Sequence, residues 1–150
     1  MEKIGLVLRE HPFFKDLKQE HLDILAGCAS LVDFKAGSVI FKEGQEVDHL
    51  HIIRDGLVAI EILHTSKPAV IETLQGNDLL GWSWLFPPYR AHFNCRVIKD
   101  ARVIALDGKY LRKKCEEDHD FGYELMKKIM KIVAQRLEAT RIQFLNIYGN

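Results

Sequence analysis

The stretch from residue 80 to 97, LGWSWLFPPYRAHFNCRV, carries the residue types with the most chemistry to offer in this chain. Gly81 opens a turn, Trp82, Ser83, Trp84 and Leu85 follow, and Pro87-Pro88 runs into Arg90-Ala91. A glycine lets the backbone turn so that successive N–H groups point at one spot, and a guanidinium adds a planar, permanently charged fork. Together they make an anion cradle, whose candidate residues are Gly81, Trp82, Ser83, Trp84, Leu85, Arg90 and Ala91. Either indole offers a flat face on which a ring could stack. The plainer alternative for Arg90 is a surface ion pair with Glu72 or Asp78.

A second set of residues suits a metal. His49 and His51 alternate with Leu50 and Ile52, which places both imidazoles on one face of a strand. With His92 they could hold iron, manganese or zinc. Gly44, His49, His51 and Gly56 resemble part of the first cupin motif, and Pro88, His92 and Asn94 echo the second. Arg54-Asp55 stands near the place of the glutamate that such a site needs. The three cysteines, Cys28, Cys95 and Cys115, are too scattered for a metal knuckle or a disulfide framework, which suits a reducing cytoplasm. No phosphate-binding loop, Ser-His-Asp set or paired-carboxylate motif stands out, so the chain is expected not to be an enzyme.

The 150 residues are 47% hydrophobic, enough for one core, and the chain is expected to form a single domain. Basic and acidic residues balance at 21 each, which gives no electrostatic footprint for nucleic acid. No apolar run reaches membrane-spanning length. Residues 1–30 read as a helical cap, broken near His11-Pro12, with Asp16 a plausible helix cap. Residues 31–106 hold short β-rich runs: Val39–Phe41, Leu50–Ile53, Leu57–Leu63, Val70–Leu74, Phe93–Ile98 and Arg102–Leu106. Turn signals separate them at Ala36-Gly37, Glu43-Gly44, Asp55-Gly56, Ser66-Lys67-Pro68 and Gly76-Asn77-Asp78. The fold class is mainly β with flanking helices, an antiparallel β-roll or jelly roll.

Residues 107–148 return to helix, with Asp107 capping a short one and Asp118 or Asp120 a long one. In the long helix Met126, Met130, Val133, Leu137, Thr140, Phe144 and Ile147 alternate steps of four and three, a heptad seam. Leu125, Ile129 and Ile132 form a second stripe beside its first half. The pattern predicts a helix that docks on the β-domain and then projects toward a second copy, giving a homodimer. Burial in a larger core is the alternative.

The order helix, β-roll, long C-terminal helix resembles the effector domain of the catabolite-activator and fumarate-nitrate regulator family, a cyclic nucleotide-binding domain. Lys35–Gly44 is similar to that family's turn–strand–turn, and Asp48–Val58 to its following hairpin. Gly76–Gly81 is similar to the start of its phosphate cassette. In the family the cassette opens with Gly-Glu and ends in an arginine followed by a small residue; backbone N–H groups and the arginine hold the cyclic phosphate, and the glutamate holds the ribose hydroxyl. Gly81 and Arg90-Ala91 match, but Trp82 stands in the glutamate's place, and indole only donates. Losing a charged acceptor costs about 1–3 kcal/mol, a ten- to hundredfold loss of affinity for such a hydroxyl. Pro87 and Pro88 remove two amide donors, and Arg90 sits about one residue out of the expected register, so a bulge is needed to aim it inward.

Three readings follow. The chain is a small-molecule sensing and regulatory domain that binds cyclic AMP, another cyclic nucleotide or a different anion in an altered pocket. Alternatively its tryptophans close the pocket and it works as a ligand-free dimeric platform, or it is a cupin-like metal protein built on His49, His51 and His92. The sequence ends at Asn150 with no helix-turn-helix in view, so the expected partner is another protein rather than DNA, in the cytoplasm and not at a membrane.

Overall fold

The computed structural model describes residues 3–64 and 67–148. Ser66, part of one expected turn signal, lies outside the described residues. The helices are α1 (Ile4–Glu10), α2 (Gln19–Ala26), α3 (Gly108–Glu117) and α4 (His119–Tyr148). The strands are β1 (Ala29–Phe34), β2 (Val39–Phe41), β3 (His49–His64), β4 (Lys67–Leu74), β5 (Leu79–Leu80) and β6 (Asn94–Asp107). They form an antiparallel β-roll in the order β1-β6-β3-β4, with β2 also on β6 and β5 also on β3.

Two long strands replace four expected short ones. The Asp55-Gly56 signal does not end β3, because Gly56 takes φ +105° and the ladder with β6 resumes beyond it after register shifts. A Cβ on Gly56 would lie 2.5 Å from the Cα of Ala101, so a glycine bulge lets two strands cross closely where a turn was expected. The helical cap is also shorter than expected: α2 ends at Ala26, and β1 pairs with β6 from Ala29 opposite Leu106 to Phe34 opposite Ala101. Asp16 caps nothing, since α2 begins beyond it at Gln19 with Lys18 as its N-cap.

The other two caps form as the sequence suggests. Asp107 Oδ1 accepts from the Tyr110 N–H at 3.0 Å to start α3. Asp118 Oδ1 accepts from the Phe121 N–H at 3.1 Å to start α4. Each satisfies an amide that a helix start leaves without a partner. His11 closes α1 and joins it to the roll: its Nδ1 accepts from the Phe13 N–H at 3.1 Å, so its Nε2–H donates to the Ile53 carbonyl at 3.0 Å.

The two stripes of α4 separate only in part, since Met126 and Val133 of the seam also pack on the core. Phe121, Leu125 and Ile129 are buried against the roll, with Ile132 packed on the same core. Met130, Leu137 and Phe144 of the seam are exposed, and every described residue after Arg136 is exposed. No helix among the described residues is long and apolar enough to cross a membrane.

Candidate functional site

The site is built where β5 ends. Gly81 takes φ +89°, and a Cβ there would stand 2.7 Å from the His49 carbonyl oxygen, so both conformation and space favour glycine. The chain then winds into a 3₁₀ turn, Trp82–Trp84. Within that turn the Trp84 N–H donates to the Gly81 carbonyl at 3.1 Å and the Leu85 N–H to the Trp82 carbonyl at 3.3 Å. The amides of Trp84 and Leu85 are thus engaged inside the turn.

The tryptophans part ways. Trp84 is 1% exposed and belongs to the core, while Trp82 is half-buried and stacks on His92. Arg112 of α3 donates to the Trp84 carbonyl and lies 4.0 Å over the Tyr89 ring, tying the cassette to the helix that follows the roll.

Tyr89 to Ala91 runs antiparallel to Gly44 to Val47. The Val47 N–H donates to the Tyr89 carbonyl at 2.6 Å, the Ala91 N–H to the Gln45 carbonyl at 2.9 Å, and the Gly44 N–H to the Ala91 carbonyl at 2.8 Å. Successive side chains of an extended segment point to opposite sides. Ala91 takes the inward position at 5% exposed, so Arg90 faces out and donates to the Gly44 carbonyl at 2.9 Å. The ion pair of Arg90 with Glu72 or Asp78 does not form. Glu72 is held by Arg136, and Asp78 Oδ2 accepts from the Gln75 N–H at 3.1 Å.

Arg136 is the functional candidate that sequence reading missed, because its partners lie 64 and 57 residues away. Its Nε and Nη2 meet both oxygens of Glu72 at 3.2 and 2.8 Å, and its Nη1 donates to the Leu79 carbonyl at 2.9 Å. Spacing along α4 gives no sign of it.

His49 and His51 do share a face, with ring centroids 5.9 Å apart. His51 carries a buried Nδ1 without a hydrogen-bond partner, and burial, with His49 adding to it, pushes its pKa down to about 4. A small cleft of about 110 Å³ lies beside the pair, lined also by Gln45, Glu46 and Asp48. His92 is placed instead on Trp82, and among the described residues no three His, Cys, Asp or Glu groups are gathered as a metal site. Burial raises the thiols of Cys28, to about 11, and of Cys95 and Cys115.

An apolar groove of about 530 Å³ lies between the cassette and α4. Trp82, Trp84 and Phe86 form one wall and Tyr123, Met126 and Met130 the other. Val133 also lines it, so the groove is continuous with the seam.

An antiparallel roll, a positive-φ glycine leading a 3₁₀ turn and a long trailing helix define a class of small regulatory modules. Residues 31–118 match the cyclic nucleotide-binding domain, and this chain belongs to that family. The match runs from within β1 to the N-cap of α4, so the whole of α4 lies beyond it. The chain is 24% identical over 135 residues to the CRP-like cAMP-activated global transcriptional regulator of Mycobacterium tuberculosis (strain CDC 1551 / Oshkosh), covering 89% of this chain and 58% of that protein. It is 24% identical over 123 residues to the Anaerobic regulatory protein of Bacillus subtilis (strain 168), covering 80% of this chain and 52% of that one. The chain therefore spans little more than half the length of these relatives. A crystal structure of a candidate cyclic nucleotide-binding protein from Geobacter metallireducens GS-15 superposes with a TM-score of 0.78 at 29% identity, covering 91% of this chain and 99% of that one. These relatives are named as regulators or as a cyclic nucleotide-binding protein.

Proposed function

We propose that this chain is a sensing domain that binds a small anionic ligand in the roll beside the cassette and works as a homodimer through α4. The observation that carries it is Gly81 at φ +89° opening a 3₁₀ turn inside the family-matched segment. The amides of Trp82 and Ser83 lead that turn, where the free N–H groups of a helical start favour negative charge. Cyclic AMP is the first ligand to test, because the Mycobacterium tuberculosis relative is named as cAMP-activated. Trp82 in place of an acid weakens the case for a ribose hydroxyl, so cyclic GMP, cyclic di-nucleotides and simple phosphates belong in the same screen.

A second reading rests on Trp84. An indole 1% exposed inside the cassette fills volume, and a roll closed in this way acts as a ligand-free dimeric platform. Calorimetric titration with each nucleotide separates the two. Saturable heat from any of them supports the sensor, and silence from all with an intact fold supports the platform.

A further inference from the structure

We propose that the cleft between residues 46–48, Tyr89 and the start of α3 binds a small zwitterion of the α-amino acid type. Its volume is about 360 Å³, within the usual span of small-ligand pockets, and charged side chains line it. One wall is acidic. Val47 is 3% exposed, and side chains alternate along an extended segment, so Glu46 and Asp48 both point away from the core. Asp107, the N-cap of α3, adds a third carboxylate. The other wall is basic. Lys109 and Arg112 stand three apart on α3 and so share one side of that helix. Arg112 lies 4.0 Å over the ring of Tyr89, which fixes where its guanidinium sits.

These opposite charges do not meet. Among the described residues no ion pair within 4.0 Å joins any of the three carboxylates to Lys109 or Arg112. The next lysines of α3 behave otherwise, since Lys113 and Lys114 both pair with Glu117. The backbone holds the two walls apart. The Val47 N–H donates to the Tyr89 carbonyl at 2.6 Å, and the Gly108 N–H to the Asp48 carbonyl at 2.8 Å. A Cβ on Gly108 would stand 3.0 Å from that Asp48 oxygen and 3.1 Å from the Trp84 Cβ, so the start of α3 is pressed into place. The cleft is therefore formed in advance, and a ligand is spared the cost of ordering it.

The charges select the ligand. A carboxylate only accepts hydrogen bonds, an ammonium only donates, and a guanidinium grips a carboxylate with a two-pronged fork. A lone anion would face three carboxylates, and a lone cation would face two bases. A molecule carrying both charges satisfies both walls. A metal ion does not fit, because among the described residues no three acidic, histidine or cysteine groups are gathered closely enough to ligate one. Three acids against two bases leave an excess of negative charge, so an amino acid with a basic side chain is favoured over an acidic one. This cleft is distinct from the cassette amides and goes beyond the sensing reading.

L-lysine, L-alanine and L-glutamate are titrated separately into the full chain and followed by amide chemical shifts, with methylamine and acetate as single-charge controls. L-lysine is expected to bind tightest and L-glutamate weakest, with shifts gathered at residues 46–49, 89 and 107–112. The two controls should leave those amides unmoved at the same concentrations. Asp48→Asn and Lys109→Gln are each expected to weaken L-lysine binding by at least about tenfold, while Lys113→Gln, outside the cleft, matches wild type. Arg112→Lys should also weaken it, since an ammonium lacks the fork. Arg112 also ties the cassette to α3, so if that variant does not fold, Asp48→Asn and Lys109→Gln decide. No shifts with any amino acid would overturn the proposal. So would acetate or methylamine acting as strongly as L-lysine, shifts gathered at Gly81–Ser83 instead, or full binding by both Asp48→Asn and Lys109→Gln.

Discussion

The indole of Trp82 lies flat on the imidazole of His92, with ring centroids 5.2 Å apart and planes 12° from parallel. Trp84, two residues on, is sealed in the core. One side chain of the turn packs on an exposed neighbour and the other anchors the turn, and their energetic weights should differ accordingly. Trp84→Ala is expected to cost about 3–5 kcal/mol, the range for emptying a buried aromatic site. Trp82→Ala gives up a half-exposed stack and should cost under about 1.5 kcal/mol. Urea unfolding of the two variants measures this directly, and equal costs would contradict the assignment.

The glycines make a second contrast. Gly56→Ala places a methyl group against the backbone of Ala101 at 2.5 Å and of Asp100 at 2.6 Å, in a conformation of φ +105°. Gly37→Ala, at φ +90°, meets nothing within 4 Å. The second change costs only left-handed strain, about 1–3 kcal/mol, while the first adds a clash that only backbone movement relieves. Gly56→Ala is expected to be the more destabilising by thermal melting, with its largest amide shifts on β3 and β6.

How much of this was legible in the sequence depends on the range of the contact. Asp107 and Asp118 could be read as caps because a cap acts over three residues. The buried and exposed stripes of α4 could be read because helical periodicity is local. Gly56 was recognisable as a special position, but whether it turns a chain or bulges a strand is decided by Ala101, 45 positions away, through the β3–β6 ladder. Two-residue β5 has no periodicity to show. The outward face of Arg90 follows from a pairing with the Gly44–Val47 segment, and Arg136 finds Glu72 only once α4 lies across the roll. The cassette was legible as a motif, whereas the direction of its arginine was a tertiary property.

Acid should weaken the fold through His51. Its pKa falls from 6.5 in the unfolded chain to about 4 in the fold, mainly because burial penalises the charged ring. As pH drops below 6.5 the unfolded chain takes up the proton and the folded one does not. Stability present above that pH is lost progressively down to about pH 4, at most about 3 kcal/mol from this group. His11, lowered chiefly by burial, acts in the same direction. Denaturant midpoints at pH 7.5 and 4.5 for wild type and His51→Leu test it, and the variant should lose less. An identical loss in both would remove His51 from the explanation.

The seam of α4 can be tested without disturbing the roll. Leu137 is 50% exposed, so an aspartate there is solvated in a single chain and should change its stability by no more than about 0.5 kcal/mol. Between two paired helices the same aspartate faces its copy in an apolar seam, where each charge loses water without gaining a partner. Leu137→Asp combined with Phe144→Asp, at a position 59% exposed, is therefore expected to leave the circular dichroism of the roll intact while light scattering falls from dimer to monomer. Leu125→Asp, at a position 1% exposed on the docking stripe, should instead unfold the chain. A seam double variant that stays dimeric, or a wild type already monomeric at high concentration, would show that Met130, Leu137 and Phe144 are exposed for another reason.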